Sequence, residues 1–297
     1  MSKTKKRLGI VSFLVFAVLI TAGVYLSHVN IPVLQPRGPI ADKEFKLLVL
    51  IVSSMLIVAV PVFLLLAYVV WRYREDNPKR GKYEPDWEHS RWLEGLWWAI
   101  PAILITIVSV ITWNASYALN PYLPLKSSNK AITIQVVSLN WKWLFIYPNQ
   151  KIATINYFEL PVNTPIHFYL TSDAPMNSFW LPQLSGQIFT MAGMQTQLYL
   201  AADSMGTYYG SSANISGVGF ANMHFNAISV SSTSFKAWAL SVKDKSPNLS
   251  MNDYMMLRQP SSIVKNVNYS YPVNCLFNTI INSYMMPVAN GMGKVGV

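Results

Sequence analysis

Thiols are nearly absent from this chain of 297 residues: Cys275 is the single cysteine. One thiol excludes an intrachain disulfide, a zinc site built on a cysteine pair and any centre that needs two thiolates. Charge is scarce as well, at 12% of residues against 52% hydrophobic, where an ordinary globular domain carries about a quarter charged residues. So little polar surface excludes a freely soluble protein of this size and points to a membrane. The net charge of +10 would suit nucleic acid, but no basic stripe with interleaved aromatics is present to carry that reading. Internal repeats and low-complexity segments are also missing.

What the chain does have is three long apolar stretches near its start. Lys3, Lys5, Lys6 and Arg7 precede the first, Leu8 to Leu26. Basic residues before an apolar run this close to the start read as an export signal, and the run is also near the minimum length for an uncleaved anchor. Residues 1–29 are therefore expected to be one or the other, followed by a short external segment, 30–46. Residues 47–71 carry no charge, and 93–115 carry only Glu94, at the edge. Each can cross about 30 Å of hydrocarbon at about 1.5 Å per residue. Pro61 and Pro101 fall inside them, which neighbouring helices tolerate. Trp71, Tyr73, Trp92, Trp97, Trp98 and Trp113 sit near the ends, like an interfacial aromatic belt. The loop 72–92 holds Arg72, Arg74, Lys79, Arg80, Lys82 and Arg91. With the basic N-terminus, that places both on the cytoplasmic side and everything after the second helix outside. Much of the +10 is thus topology.

After a linker, 116–128, the pattern changes. Ile132 to Val136 alternates apolar and polar, and Ile166, Phe168 and Leu170 alternate with His167, Tyr169 and Thr171. That period of two belongs to half-buried strands. Leu198 with Leu200, and Ile228 with Val230, mark further short strands. Turn formers separate them at Pro148-Asn149, Asn163 to Pro165, Ala192-Gly193, Met205-Gly206 and Ser216-Gly217. Short strands at even spacing predict a sandwich or barrel over 129–232. Beyond it, 233–297, Phe235, Trp238 and Val242 recur at helical spacing, and the Asn/Ser-rich tail from Pro260 has no clear signal.

Four segments together carry a specific resemblance: Trp92 to Pro101 (WLEGLWWAIP), Asn140 to Pro148 (NWKWLFIYP), Met176 to Leu184 (MNSFWLPQL) with Met191 to Thr196 (MAGMQT), and Gly206 to Gly210 with Phe220 to Met223. From Val24 to Pro260 the chain resembles subunit II of the heme–copper terminal oxidases, within them the cytochrome bo-type ubiquinol oxidases. The resemblance implies an α+β membrane protein: a two-helix transmembrane hairpin, then an external cupredoxin-like β-sandwich and a helical C-terminal extension. It further implies partners in subunit I and its smaller membrane subunits, a bacterial inner (plasma) membrane location, and no cytochrome c. The cofactor expectation follows: none on this chain, hemes and copper B in subunit I, and ubiquinol as substrate of the complex.

Copper-bearing relatives that oxidise cytochrome c hold two copper ions on a His before Ser-Phe and a loop reading C-x-E-x-C-x3-H-x2-M. Two bridging thiolates are soft anionic ligands that delocalise the electron over both ions, and imidazoles complete the coordination. On this chain the first His position is Asn177. The thiolate positions are Ser212 and Ser216, the Glu position is Asn214, the second His is Phe220, and only Met223 remains. A neutral hydroxyl does not replace a thiolate, and a phenyl ring has no lone pair. These six are therefore read as vestigial copper positions, with no metal expected. His224 follows Met223 on a strand and should face the other way. His167, His28, His89 and Cys275 carry ordinary structural readings. Trp141 and Trp143, in the segment that guides electrons in copper-bearing relatives, are read as packing and loop anchors.

Glu94 is the one residue left with chemistry to do. The family places a Glu of this motif near the mouth of a proton channel in subunit I, and carboxylates at membrane depth are costly unless used. The alternative is a Glu that sits among headgroups or favours the helix N-terminus. Where close relatives carry a lipobox cysteine, this chain reads Tyr25-Leu26-Ser27-His28, which excludes a diacylglycerol anchor and leaves cleavage near Ala22-Gly23 or a retained helix. The leading functional expectation is a non-redox subunit of a proton-pumping ubiquinol oxidase. The alternative is a membrane-tethered cupredoxin-like binding or assembly module, although a tether needs only one span.

Overall fold

The computed structural model describes residues 21, 23, 31–74, 88–261 and 266–285. The expected export signal or anchor, apart from Thr21 and Gly23, most of the basic loop and the last residues of the tail lie outside them. Two units are distinguished, 1–35 and 36–297. In the first, Pro32–Leu34 forms a 3-10 turn with Pro32 at its start. The second holds everything that follows.

Helix α1 spans Pro39–Arg72 and α2 spans Arg91–Ala118. Pro39 opens α1 at the first helical position, where its missing N–H is no loss, and Asp42 lies in the first turn, where negative charge suits the helix dipole. Both helices continue through their internal prolines, Pro61 and Pro101. Ser54, Thr106 and Ser116 each turn their hydroxyl back onto the carbonyl four residues earlier at 2.8 Å, which keeps these three hydroxyls paired in hydrocarbon. Both helices are long and apolar enough to cross a membrane, and their most apolar stretches bury nothing within the chain. Phe63 and Trp92 are 69% and 79% exposed, surface that only lipid or a neighbouring subunit can cover.

Helix α1 begins two turns before the apolar run at Leu47. Those turns are held by the external domain rather than by hydrophobicity. The Arg37 N–H donates to the Gln183 carbonyl at 2.7 Å, and the Asp203 N–H to that of Arg37 at 2.8 Å. A Cβ on Gly38 would stand 2.4 Å from the Ala201 carbonyl oxygen, so only glycine permits this approach.

The domain is a two-sheet sandwich. Its strands are β1 (Ile132–Leu139), β2 (Lys142–Tyr147), β3 (Ile152–Ile155), β4 (Tyr157–Pro161), β5 (Ile166–Ser172), β6 (Asn177–Leu181), β7 (Ser185–Thr190), β8 (Thr196–Leu200), β9 (Gly206–Ser212), β10 (His224–Val230) and β11 (Val267–Ser270). One sheet runs β11-β3-β2-β1-β5-β8 and the other β4-β10-β9-β6-β7. Pairs β1/β5 and β4/β10 are parallel and the remainder antiparallel. Ile134, Val136, Phe145, Phe168, Phe179 and Phe225 meet between the sheets. On β10 the core residues are Phe225 and Ala227, while Ile228 and Val230 occupy the partly exposed row.

Three helices follow. Phe235, Ala239 and Val242 of α3 (Ser232–Lys245) are buried at helical spacing, and the Ser231 hydroxyl caps its start by accepting from the Ser234 N–H at 3.1 Å. Helices α4 (Met251–Arg258) and α5 (Leu276–Met285) lie over the outer face of the first sheet. There Tyr254, Leu276, Phe277, Ile280 and Ile281 form a second core with Val137, Leu139, Leu144 and Ile146. The C-terminal extension also supplies β11, an edge strand. Strand β2 is consequently buried at all six positions, the near-continuous apolar run expected of a strand covered on both faces.

Candidate functional site

At one end of the sandwich, β6 begins at Asn177, β9 ends at Ser212, and residues 213–223 loop back to β10. The Ser212 hydroxyl lies 3.1 Å from Asn177 Oδ1 and 3.2 Å from the Asn214 carbonyl, both acceptors, and its N–H donates to the Met223 carbonyl at 3.1 Å. Asn177 Nδ2 donates to the Pro175 carbonyl at 2.9 Å, and Asn214 Nδ2 to that of Met176 at 2.8 Å. Four of the six positions that the sequence reads as vestigial, Asn177, Ser212, Asn214 and Met223, are thus joined by direct hydrogen bonds. Ser216 goes elsewhere: its carbonyl accepts from Trp141 Nε1 at 3.2 Å, while its buried hydroxyl has no partner among the described residues. Phe220 sits in the 3-10 turn Phe220–Asn222, and Met223 is packed into the inter-sheet core.

Trp141 anchors this loop. It adopts a left-handed backbone, φ 62°, and a Cβ on Gly219 would stand 2.2 Å from its Cδ2. The indole therefore lies flat against a bare backbone. Trp143 is fully buried between Phe179 and Phe225, ring centroids 5.4 and 5.5 Å away. The side chains gathered here offer one hydroxyl, two amides and one thioether. A dicopper centre needs bridging thiolates and imidazoles, so these residues do not fit one. Among the described residues, no three His, Cys, Asp or Glu side chains converge as a metal site would require.

Next to the vestigial positions runs a buried hydroxyl network that sequence reasoning missed. Ser138 Oγ lies 2.8 Å from Ser172 Oγ and 2.9 Å from Thr190 Oγ1, and Thr190 donates to the Asn177 carbonyl at 3.3 Å. It ties β1 and β5 of one sheet to β6 and β7 of the other. The signal was available as small hydroxyl residues at strand ends between apolar ones. Beside it, Asp173 is buried and held by the Tyr254 hydroxyl, by the Tyr284 hydroxyl at 2.6 Å and by Arg258 Nε at 3.1 Å. Burial, then the bond to Asp173, raises the pKa of Tyr254 far above its ordinary value. Lys142, whose pKa burial lowers, donates to the Gln259 carbonyl at 2.7 Å.

At the membrane end, Glu94 occupies the first turn of α2 and is exposed; His89 Nδ1 stands 3.4 Å from its Oε1. The sequence singled out Glu94 but gave His89 no role. His224 is exposed and stacks on Tyr209 at 5.6 Å. His167 stacks on Tyr199 at 4.0 Å with Nε2 3.0 Å from Gln197 Oε1, and burial lowers its pKa. Cys275 is exposed and free; His28 lies outside the described residues.

Residues 150–232 match the family described as cytochrome c oxidase subunit II, periplasmic domain. The chain is 42% identical to the cytochrome bo(3) ubiquinol oxidase subunit 2 of Pseudomonas aeruginosa over 87% of its own length and 78% of that protein's. It is 41% identical to the ubiquinol oxidase subunit 2 of Acetobacter aceti, covering 89% and 86%. Among solved structures, the periplasmic domain of cytochrome oxidase subunit II from Bradyrhizobium japonicum aligns at 22% identity, TM-score 0.39, over 41% of this chain and 99% of that one.

Proposed function

The chain belongs to the ubiquinol oxidase subunit 2 family, and on that premise we propose that it is the non-redox subunit II of a proton-pumping quinol oxidase in the inner membrane of an aerobic bacterium. In this reading ubiquinol gives its electrons to subunit I, which holds the hemes and copper B. The two bare helices pack on subunit I and the smaller membrane subunits, and the sandwich faces outward.

The observation that carries the reading is the Ser212 hydroxyl, bonded to Asn177 and Asn214 where a bridging thiolate would be required. A serine hydroxyl keeps its proton at neutral pH and offers a hard, neutral oxygen, which neither bridges nor delocalises a copper electron. Charge adds support: residues 116–297 hold ten Lys and Arg against five Asp and Glu. An excess of positive charge repels a basic electron-donor protein such as cytochrome c. Glu94, exposed in the first turn of α2 on the cytoplasmic side, serves as the mouth of a proton channel that continues in subunit I.

Affinity purification of the tagged chain in mild detergent tests this. The expected result is co-purification of b- and o-type heme with ubiquinol-dependent oxygen consumption, and no mixed-valence copper signal from this subunit by spin resonance. A stoichiometric copper pair bound between Asn177 and Met223 would overturn the non-redox role. Purification with no heme at all would favour the tethered module.

A further inference from the structure

Between β11 and α5 the chain runs from Tyr271 to Cys275 along the outer face of the first sheet, and a cavity of about 470 Å3 opens there. Its floor continues the second core: Ile146 and Leu276 are buried members of that core, and Val273 packs against it. Its rim is polar and holds Gln135, Lys151, Asn274 and the exposed Cys275 thiol. No Asp or Glu lines the cavity, and among the described residues no ion pair reaches Lys151. A second cation stands close by, with Lys243 Nζ 5.5 Å from the centroid of the Tyr271 ring. The backbone of this rim is unusual as well. Lys151, Tyr271 and Cys275 have φ of 58°, 40° and 60°, three of the six non-glycine residues with positive φ among those described. Left-handed backbone is costly at such residues and persists where the surroundings impose it, ligand clamps among them. Here the Lys151 N–H donates to the Tyr147 carbonyl at 2.8 Å and the Tyr271 N–H to that of Lys151 at 2.9 Å. The turn that carries Lys151 and the loop that carries Cys275 are thereby tied together.

We propose that this cavity binds a small monocarboxylate with an apolar body, of the class of a medium-chain fatty acid. The inference does not depend on the reading of the chain as a quinol oxidase subunit. Small-molecule sites run from about 300 to about 1,000 Å3, and they combine apolar walls with a few polar groups that fix orientation. Lys151 supplies one compact positive charge, and the amides of Gln135 and Asn274 supply neutral donors. That set suits a single carboxylate. A phosphate dianion is better served by the fork of an arginine, which the lining lacks. An ammonium head would meet Lys151 with no acid to pair it. The floor of Ile146, Val273 and Leu276 takes the alkyl chain out of water, and that burial drives binding.

The single thiol of the chain reports on the site. The full-length protein, purified from membranes and placed in zwitterionic nanodiscs, is treated with iodoacetamide, and alkylation of Cys275 is followed by mass spectrometry. Octanoate is expected to slow alkylation about tenfold at about ten times its dissociation constant. Octylammonium, with the opposite head, should leave the rate unchanged. Acetate, the head without the chain, should be needed at a concentration on the order of a hundredfold higher. Lys151→Asn removes the charge with a side chain that tolerates left-handed backbone. It should raise the octanoate requirement about fivefold, as for an exposed ion pair, and Lys151→Arg should restore it, both at native melting temperature. Alkylation at the native rate in octanoate at about 10 mM, well above a millimolar dissociation constant, would overturn the proposal. Equal protection by octylammonium or acetate, or an unchanged requirement in Lys151→Asn, would do so too.

Discussion

Ser212 closes one end of the sandwich through the ordinary chemistry of its side chain. Its hydroxyl has two acceptors, Asn177 Oδ1 and the Asn214 carbonyl. Ser212→Ala removes the one hydroxyl proton that these two acceptors share. It should cost about 1 kcal/mol of stability, read as a fall of a few degrees in melting temperature, with ubiquinol oxidation unchanged. A loss of oxidase activity with full stability would instead argue for chemistry at this position. Glu159 shows a second residue-scale effect. Burial pushes its carboxyl pKa up from 4.5 to about 7. The folded chain thus holds this proton more tightly than the unfolded one, so stability falls as pH rises from about 4.5 to about 7 and the deficit persists above that. Glu159→Gln removes the titration. Its melting temperature should exceed the native value at pH 8, and the difference should shrink steadily toward pH 4.5 in a pH series on the purified chain.

Individual elements owe their positions to different forces. The apolar part of α1 follows from composition, whereas its first two turns exist because Arg37 and Gly38 fix the chain against the external domain. The 213–223 loop keeps its path because Trp141 fits against Gly219 with no room for a Cβ. Helices α4 and α5 carry apolar residues that look unremarkable in sequence, yet Tyr254, Leu276, Phe277 and Ile280 close the outer face of the first sheet. If that second core is integral to the domain, Phe277→Ala should destabilise the chain by about 3 kcal/mol, as large-to-small changes in a true core do. Denaturant unfolding of the purified chain measures this. A change near zero would make the extension an appendage.

For the whole molecule, two bare helices and a sandwich closed on its first sheet give a chain that is complete outside the membrane and incomplete within it. The helices bury almost nothing of their own, so their partner surface is a neighbouring subunit or lipid. The hairpin, the strand periodicity of β1 and β5, and the absence of paired thiols were all legible in sequence, because each depends on local residue order or on residue types alone. The residue types at the motif positions, Ser212, Ser216 and Phe220, were legible too, since they are visible as letters. The long-range contacts around them were not. The Ser138–Thr190 contact joins residues 52 apart, and Asp173 meets Tyr284 from 111 residues away.

Hydrocarbon length, the placement of Lys and Arg, and the identity of side chains at motif positions are carried by the chain itself, and they determined that this protein is a membrane hairpin bearing a β-sandwich. Only tertiary structure decided how the end of the sandwich around Asn177 and Ser212 is filled, how Asp173 clamps the C-terminal helices, and that His89 stands beside Glu94. Each of those depends on which side chains the fold brings within a few ångströms, and hydrogen bonds and ion pairs act over that distance alone.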